Sequence, residues 1–218
     1  MKTEKKHTFY MFSDNSSYNP QFTQAFRIHS KSEMVDRECP EYGVRENYPS
    51  GAFDVSVEGA SQYPDVLGCG AYPLLIVSQA VIDDWKEAGI HAFHTYPVGI
   101  AKVDSKVLRS VPAPAYFRVE IDGRCQIDLE ASGLRVLRYA PECHYLATEP
   151  MVSSGFKMVS GSWDGSPIFR DADLYPSVSF CTELILELAG KHKHINFRFE
   201  PMEGPFDNSS RGIDYIEG

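Results

Sequence analysis

Two segments of the sequence each carry one cysteine in a setting that resembles half of a zinc knuckle. The first, residues 39–43, reads Cys-Pro-Glu-Tyr-Gly, and a cysteine in place of Tyr42 would complete a Cys-x-x-Cys-Gly motif. The second segment supplies Cys143 followed by His144. A structural zinc ion normally takes four protein ligands, and Cys39, Cys143 and His144 are fewer. We therefore predict no bound metal, with these three residues as remnants of degenerate motifs.

Histidine and aspartate side chains offer a second kind of chemistry, metal-assisted catalysis. His91 and His94 are three positions apart, and Asp171 and Asp173 resemble the acidic pair that holds a divalent ion in sugar-nucleotide enzymes. The histidines follow the predicted end of a helix, and no carboxylate stands at the spacing of a metalloprotease motif. The favoured interpretation is a loop or strand role for the histidines and a solvated turn for the aspartates. A metal-assisted enzyme built from these four side chains stays open as the alternative.

No arrangement typical of a nucleophilic enzyme is present in the sequence. The chain has no Gly-x-Ser-x-Gly elbow, no phosphate-binding loop and no His-Glu-x-x-His motif. Cys181 precedes a predicted helix, where a thiolate would be stabilised, but no base adjoins it in the sequence. We therefore predict a protein that is not an enzyme and has no cofactor, with Cys181 as a core or cap thiol.

Composition limits the classes of partner. Hydrophobic residues make up 43% of the 218 positions, which supports a folded core and argues against intrinsic disorder. The formal net charge of −9 argues against a nucleic-acid partner, because phosphate binding needs a basic face. An acidic surface favours solubility or a basic protein partner instead.

The sequence also predicts a cytoplasmic protein that does not enter a membrane. No apolar run approaches the ~18 residues of a spanning helix. The charged start, residues 1–7, is followed by no apolar segment of the signal-peptide kind. The five cysteines are an odd number, which suits reduced thiols better than a disulfide scaffold.

Two stretches have the period of an amphipathic helix followed by an extended segment. In the first, Ser78 is a candidate N-cap, an apolar face extends to Ala88, and Gly89 is the predicted stop. In the second, Thr182 is the candidate cap of a helix that ends at Gly190. The first helix precedes extended chain at 96–103 and the second precedes a strand at 195–200.

The sequence between and before these helices alternates as β-strands do. Residues 53–57 predict one strand, and residues 8–12 predict a short one. Residues 117–121 and 125–129 alternate on either side of Asp122-Gly123, a turn pair that predicts a β-hairpin. The expected fold class is α+β, an antiparallel-rich or mixed sheet with two or three packed helices. We expect a single domain over residues 1–218, with 1–149 and 150–218 as possible lobes that meet near Glu149-Pro150.

Several short stretches, taken in their order and spacing, resemble the double Cys-x-x-Cys-Gly motif proteins of bacteria. This family is related to the immunity proteins of polymorphic toxin systems, including the swarming-inhibition antidotes of myxobacteria. The resemblance spans residues 39–202, and the matching stretches are Cys39-Pro40-Glu41-Tyr42-Gly43, Leu74-Leu75-Ile76-Val77-Ser78, Ala88-Gly89-Ile90, Tyr96-Pro97-Val98, Cys143, Trp163-Asp164-Gly165-Ser166-Pro167-Ile168-Phe169-Arg170, Cys181-Thr182-Glu183 and Asn196-Phe197-Arg198-Phe199.

The resemblance implies an immunity protein that binds and neutralises a cognate bacterial toxin. The chain departs from the family at Tyr42, and Cys143 is not followed by a Cys-Gly pair. A family zinc, if present elsewhere, is therefore expected to be lost here. Immunity proteins often present carboxylates to a basic toxin, which speeds association. Candidate surface acids are Asp122, Asp128, Glu130, Asp171 and Asp173. An interaction domain without a toxin partner is a further alternative, and the toxin, the binding face and the oligomeric state stay open.

Overall fold

The fold is described by a computed structural model that covers residues 7–14, 21–29, 34–38, 45–49, 51–69, 74–140, 145–148, 155–171, 173–174 and 178–203. These residues form fourteen strands: β1 (Phe9–Asp14), β2 (Gln24–His29), β3 (Met34–Glu38), β4 (Arg45–Pro49), β5 (Phe53–Glu58), β6 (Leu75–Ser78), β7 (Phe93–Val103), β8 (Tyr116–Ile121), β9 (Arg124–Cys125), β10 (Val136–Ala140), β11 (Tyr145–Thr148), β12 (Ile168–Asp171), β13 (Ser179–Thr182) and β14 (Phe197–Pro201). They also form two α-helices, α1 (Gln79–Glu87) and α2 (Glu183–His192), and a 3-10 helix at Leu108–Ser110.

Two five-stranded sheets carry most of the structure. The first sheet has the order β14-β1-β13-β12-β9, and the second has the order β2-β5-β7-β8-β6. The pairs β5–β7 and β9–β12 are parallel, and the other strand pairs of these sheets are antiparallel. Two separate ribbons, β3–β4 and β10–β11, complete the described strands. This antiparallel-rich, mixed arrangement with two α-helices confirms the predicted α+β class.

Helix α1 confirms the apolar face that the sequence predicts. Val81, Ile82 and Trp85 are buried along one side of the helix, as their spacing requires. Gly89 has a positive φ of 79° just after the helix, a conformation that glycine adopts without a steric penalty. Ser78 stands at the N-cap, but its side chain makes no capping hydrogen bond to the helix. The Ser78 hydroxyl donates instead to the Asp65 carboxylate at 2.7 Å.

Helix α2 begins as predicted and runs two residues past Gly190. Ile185, Leu188 and Ala189 form its buried face. The predicted cap, Thr182, makes no side-chain hydrogen bond to the helix start. The chain leaves α2 through Lys193, which has a left-handed backbone conformation, and then enters β14. Helix and strand are therefore joined by a very tight turn.

One hydrophobic cluster lies between the two sheets. It includes Phe12 and Phe199 of the first sheet, Val119 of the second sheet, Trp85 of α1 and Ile185 of α2. Burial of apolar surface, the main favourable term in folding, thus joins both sheets to both helices. The strands β1 and β9 precede Glu149-Pro150, yet they pair in the sheet that holds β12 to β14. That position therefore does not separate one sheet from the other.

The predicted hairpin around Asp122-Gly123 is wrong. The first half is correct, because residues 116–121 form β8 of the second sheet. After Gly123, however, the chain enters the first sheet, where β9 pairs in parallel with β12. The backbone N–H of Arg170 donates to the Gly123 carbonyl at 3.0 Å and holds this crossing in place. A turn-forming pair therefore marks a passage between sheets here.

Within the described residues, neither α-helix has the length and apolar character that crossing a membrane requires.

Candidate functional site

The four residues of the enzyme alternative do not form one centre. His94 lies on β7 with 69% of its side chain exposed, and its Nε2 is 3.2 Å from Asp122 Oδ2. His91 is an exposed residue between α1 and β7. Asp171 belongs to the other sheet. Across the described part of the chain, no three His, Cys, Asp or Glu side chains are grouped so that they could hold a metal ion.

Asp171 is not a surface acid, which corrects its place among the candidate partner-binding residues. The residue is buried on β12. Its Oδ2 accepts the backbone N–H of Ile127 at 2.6 Å, and its Oδ1 accepts those of Asp173 at 2.8 Å and Leu174 at 3.0 Å. A carboxylate that satisfies three backbone donors organises local structure, and it is not presented to a partner.

The other acidic candidates lie nearer the surface. Asp122 is partly exposed beside His94, and Glu130 is exposed in the turn that precedes β10. Asp128 Oδ1 accepts the backbone N–H of Ala131 at 2.9 Å and so shapes that turn. Asp173 Oδ2 accepts a hydrogen bond from the Tyr139 hydroxyl at 3.1 Å.

The cysteines that the structure describes are core thiols. Cys69, Cys125 and Cys181 are buried and make no disulfide. Burial, with the nearby charges of Asp171 and Asp164, raises the pKa of Cys125 to about 12. Burial also raises the pKa of Cys181 well above its usual range, as does the charge of Glu183. The prediction of a core or cap thiol at Cys181 is confirmed as a core position, because the side chain is fully buried. A thiol with a raised pKa is also a poor nucleophile at neutral pH.

The remnant zinc-knuckle residues, Cys39, Cys143 and His144, lie outside the described residues. Their predicted lack of a metal therefore stays a prediction.

The ribbon strand β10 exposes apolar side chains that a monomer normally covers. Val136 is 41% exposed, Leu137 53% and Tyr139 44%. The pairing with β11 shifts between Val136 and Arg138, which leaves Leu137 as the extra residue of a β-bulge. A bulge re-aims the side chains beside it, so two consecutive apolar residues can both reach solvent. We call Val136, Leu137, Tyr139 and Asp173 the β10 surface.

A second cluster, which the sequence did not reveal, brings together two aspartates and two histidines. Nε2 of His194 lies 2.8 Å from Oδ2 of Asp84, and Nδ1 of His192 lies 3.0 Å from the same oxygen. Nδ1 of His194 lies 3.6 Å from Oδ2 of Asp65. The two imidazole rings are stacked with their centroids 5.8 Å apart. We call these four residues the His194 cluster.

Hydrogen bonds from residues outside the cluster hold Asp65 in place. Its Oδ1 accepts from the Ser78 hydroxyl at 2.7 Å and its Oδ2 from the Ile195 backbone N–H at 2.9 Å. Burial by itself would raise the pKa of Asp65, but the donors His194, Ile195 and Ser78 together lower it. Asp65 is therefore a carboxylate with fixed partners.

The sequence contains no pattern that would have found the His194 cluster. The spacing His192-Lys193-His194 was visible, but the lysine between the two histidines argues against a cation site. Asp65 lies 130 positions before Ile195, which follows His194, and no short motif links such distant positions. The β10 surface was equally hidden, since β-periodicity does not say which face is left uncovered.

Comparison with known proteins adds no family assignment: no family model matches the chain, and no curated protein matches it significantly.

Proposed function

We propose that this protein binds and neutralises a bacterial protein toxin, and that the β10 surface contacts the toxin. The observation that carries the proposal is the exposure of Val136, Leu137 and Tyr139 together on one short strand. Single exposed apolar residues are ordinary on protein surfaces, but several adjacent ones typify a surface that another molecule covers. The resemblance to immunity proteins favours a toxin as the partner that covers this surface.

The composition of the surface suits a protein partner. Interfaces commonly have an apolar centre in a polar rim, and tyrosine is one of the residues that contribute most to binding. The Tyr139 hydroxyl is already oriented by Asp173, so little side-chain freedom is lost when a partner binds. This pair thus offers a preorganised contact.

Charge indicates what kind of toxin fits. The chain has a formal net charge of −9, and Asp173 contacts Tyr139, while the exposed Arg135 precedes Val136. Carboxylates around a binding face attract a basic partner and raise the association rate. A basic toxin domain is therefore the expected occupant.

We expect the protein to rescue the growth of cells that express the toxin encoded beside its gene, and to elute with that toxin as one complex. Tyr139→Ala is expected to weaken the complex by about 2 kcal/mol, roughly 30-fold in Kd, because tyrosine is a frequent anchor of protein interfaces. Leu137→Ala should weaken it as well, through lost apolar contact. Binding is measured by calorimetry, and rescue by colony counts.

A matched control is Val107→Ala, because Val107 is 56% exposed but lies beside the 3-10 helix. It should leave Kd unchanged within about twofold, as surface truncations outside an interface do. Asp173→Asn should act mainly on the association rate and its salt dependence. Failure of the unmodified protein to rescue growth or to form a complex would contradict the toxin-binding function. Normal binding by the Tyr139 and Leu137 variants would instead contradict the choice of surface.

A further inference from the structure

The His194 cluster joins elements that belong to different sheets. Asp65 lies in the connection between β5 and β6 of the second sheet, and Asp84 lies on α1. His192 is the last residue of α2, and His194 is in the turn that leads into β14 of the first sheet. The cluster is thus a polar contact between two parts of the fold that also share apolar packing.

Backbone hydrogen bonds run beside these side chains. The backbone N–H groups of Asp65 and Val66 both point at the Ile195 carbonyl, at 3.2 and 3.4 Å. The Ile195 N–H returns a bond to the Asp65 carboxylate, and the Asn196 side chain donates to the Val66 carbonyl at 2.6 Å. These hydrogen bonds therefore hold the turn at 193–196 against the connection at 59–69, and the contact depends on the position of Asp65.

The protonation state of His194 decides whether the contact between the turn and the connection is electrostatically favourable. The side chain is 5% exposed, and a carboxylate faces each of its two ring nitrogens. Only the cationic imidazole carries a proton on both nitrogens. The neutral ring turns a lone pair toward one of the two carboxylates and no longer offers a positive charge to Asp65 and Asp84, which weakens the contact.

We propose that the His194 cluster is a pH-dependent latch: the cationic imidazole holds the 193–196 turn against the 59–69 connection, and loss of its proton releases that contact. The latch is independent of the toxin-binding proposal. It involves no residue of the β10 surface, and its pH response needs no bound partner.

The other titratable groups at the latch are consistent with this assignment. Asp65 faces His194 from the 59–69 connection, Asp84 faces it from α1, and His192 stacks on it from the end of α2. Lys193 adjoins His194 in the chain, and Tyr116 lies close to Asp65, where its hydroxyl donates to the Pro64 carbonyl at 2.6 Å. Burial and the charge of Asp65 raise the pKa of Tyr116, so it stays neutral in the working range.

The direction of the pH effect follows from the His194 pKa. Burial alone would lower that pKa, but the contact with Asp65 and the charges of Asp65 and Asp84 outweigh it and raise the pKa above the usual 6.5. A group whose pKa is higher in the folded state stabilises that state fully below its unfolded pKa. This stabilisation is lost as the pH rises through the folded pKa. The latch is therefore closed in mild acid and opens toward alkaline pH.

The test is amide hydrogen exchange of the full chain between about pH 6 and about pH 9, together with the NMR titration of the His194 ring. After correction for intrinsic exchange, the protection factors of the Val66 and Ile195 amides are expected to fall as the pH rises. Those of the buried α1 residues Ile82 and Trp85 should fall less. The His194 imidazole should titrate above 6.5 in the same samples.

Two variants separate the latch from general alkaline loosening. His194→Gln keeps a polar side chain without the charge, so its Val66 and Ile195 amides should be poorly protected at every pH, without the fall seen in the unmodified protein. His94→Gln removes an exposed histidine that also faces an aspartate, and it should retain the full pH dependence. The same fall in His194→Gln as in the unmodified protein, or a His194 ring that titrates below 6.5, would overturn the proposal. If His194→Gln does not fold, the ring titration in the unmodified protein decides.

Discussion

Replacing Asp171 by alanine is expected to lower the free energy of unfolding by about 3–5 kcal/mol. The carboxylate is buried, and it accepts backbone N–H groups from Ile127, Asp173 and Leu174. Alanine removes all three acceptor contacts at once and leaves buried donors without a partner. Each such donor costs about 1–3 kcal/mol, with the lower values where water can enter. The measurement is urea denaturation followed by far-UV circular dichroism.

Two comparisons make this expectation specific to the hydrogen bonds. Asp171→Asn keeps one carbonyl oxygen, so it should lose less stability than Asp171→Ala. Asp122→Ala removes a partly exposed carboxylate and should change the free energy of unfolding by no more than about 0.5 kcal/mol. A loss under about 1 kcal/mol in Asp171→Ala would show that the three amides find other acceptors or water.

Gly123→Ala is expected to cost about 3 kcal/mol or more, although it adds only one methyl group. A Cβ at this position would stand 2.1 Å from the backbone carbonyl oxygen of Ile168 and 2.7 Å from Cβ of Ser166. A flexible side chain could move aside, but the Ile168 carbonyl belongs to a buried strand of the first sheet. The chain must therefore shift where it crosses between the sheets.

Gly161→Ala is the matched control for this prediction. Gly161 has a φ of 76°, but a Cβ there would have no atom within 4 Å. The cost at Gly161 should be about 1 kcal/mol, from the backbone conformation alone. The loss of stability on thermal unfolding reports the close contact in Gly123→Ala and the backbone conformation in Gly161→Ala. Equal losses of stability at the two positions would contradict the importance of the close approach at Gly123.

Both helices and several strands of this fold were predictable, because they depend on local periodicity. The apolar face of α1 appears in the structure as predicted, and the strand predicted at 195–200 appears as β14, Phe197–Pro201. The error at Asp122-Gly123 has a clear physical reason. A turn-forming dipeptide states that the chain changes direction, and it does not state which strand the chain meets next. At Gly123 the available partner was β12, which lies far along the sequence.

Site residues were less predictable, because their roles depend on burial. Asp171 and Asp173 look equivalent in the sequence, yet Asp171 is buried against backbone amides and Asp173 contacts Tyr139 near the surface. His91 and His94 have a spacing that occurs in some metal sites, but within the described residues they belong to no group of three or more potential metal ligands. The toxin-binding function stays a prediction that the growth-rescue experiment decides.

The sequence by itself determined the class of fold, the two helices and several strands, among them β5 and β8, since these follow from the order of apolar and polar residues along the chain. Only the tertiary structure decided that β9 leaves the second sheet, that Asp171 is buried and that His194 lies between Asp65 and Asp84. The reason is that these contacts join positions far apart in the chain. Their energies come from packing and desolvation, which no local pattern of residues contains.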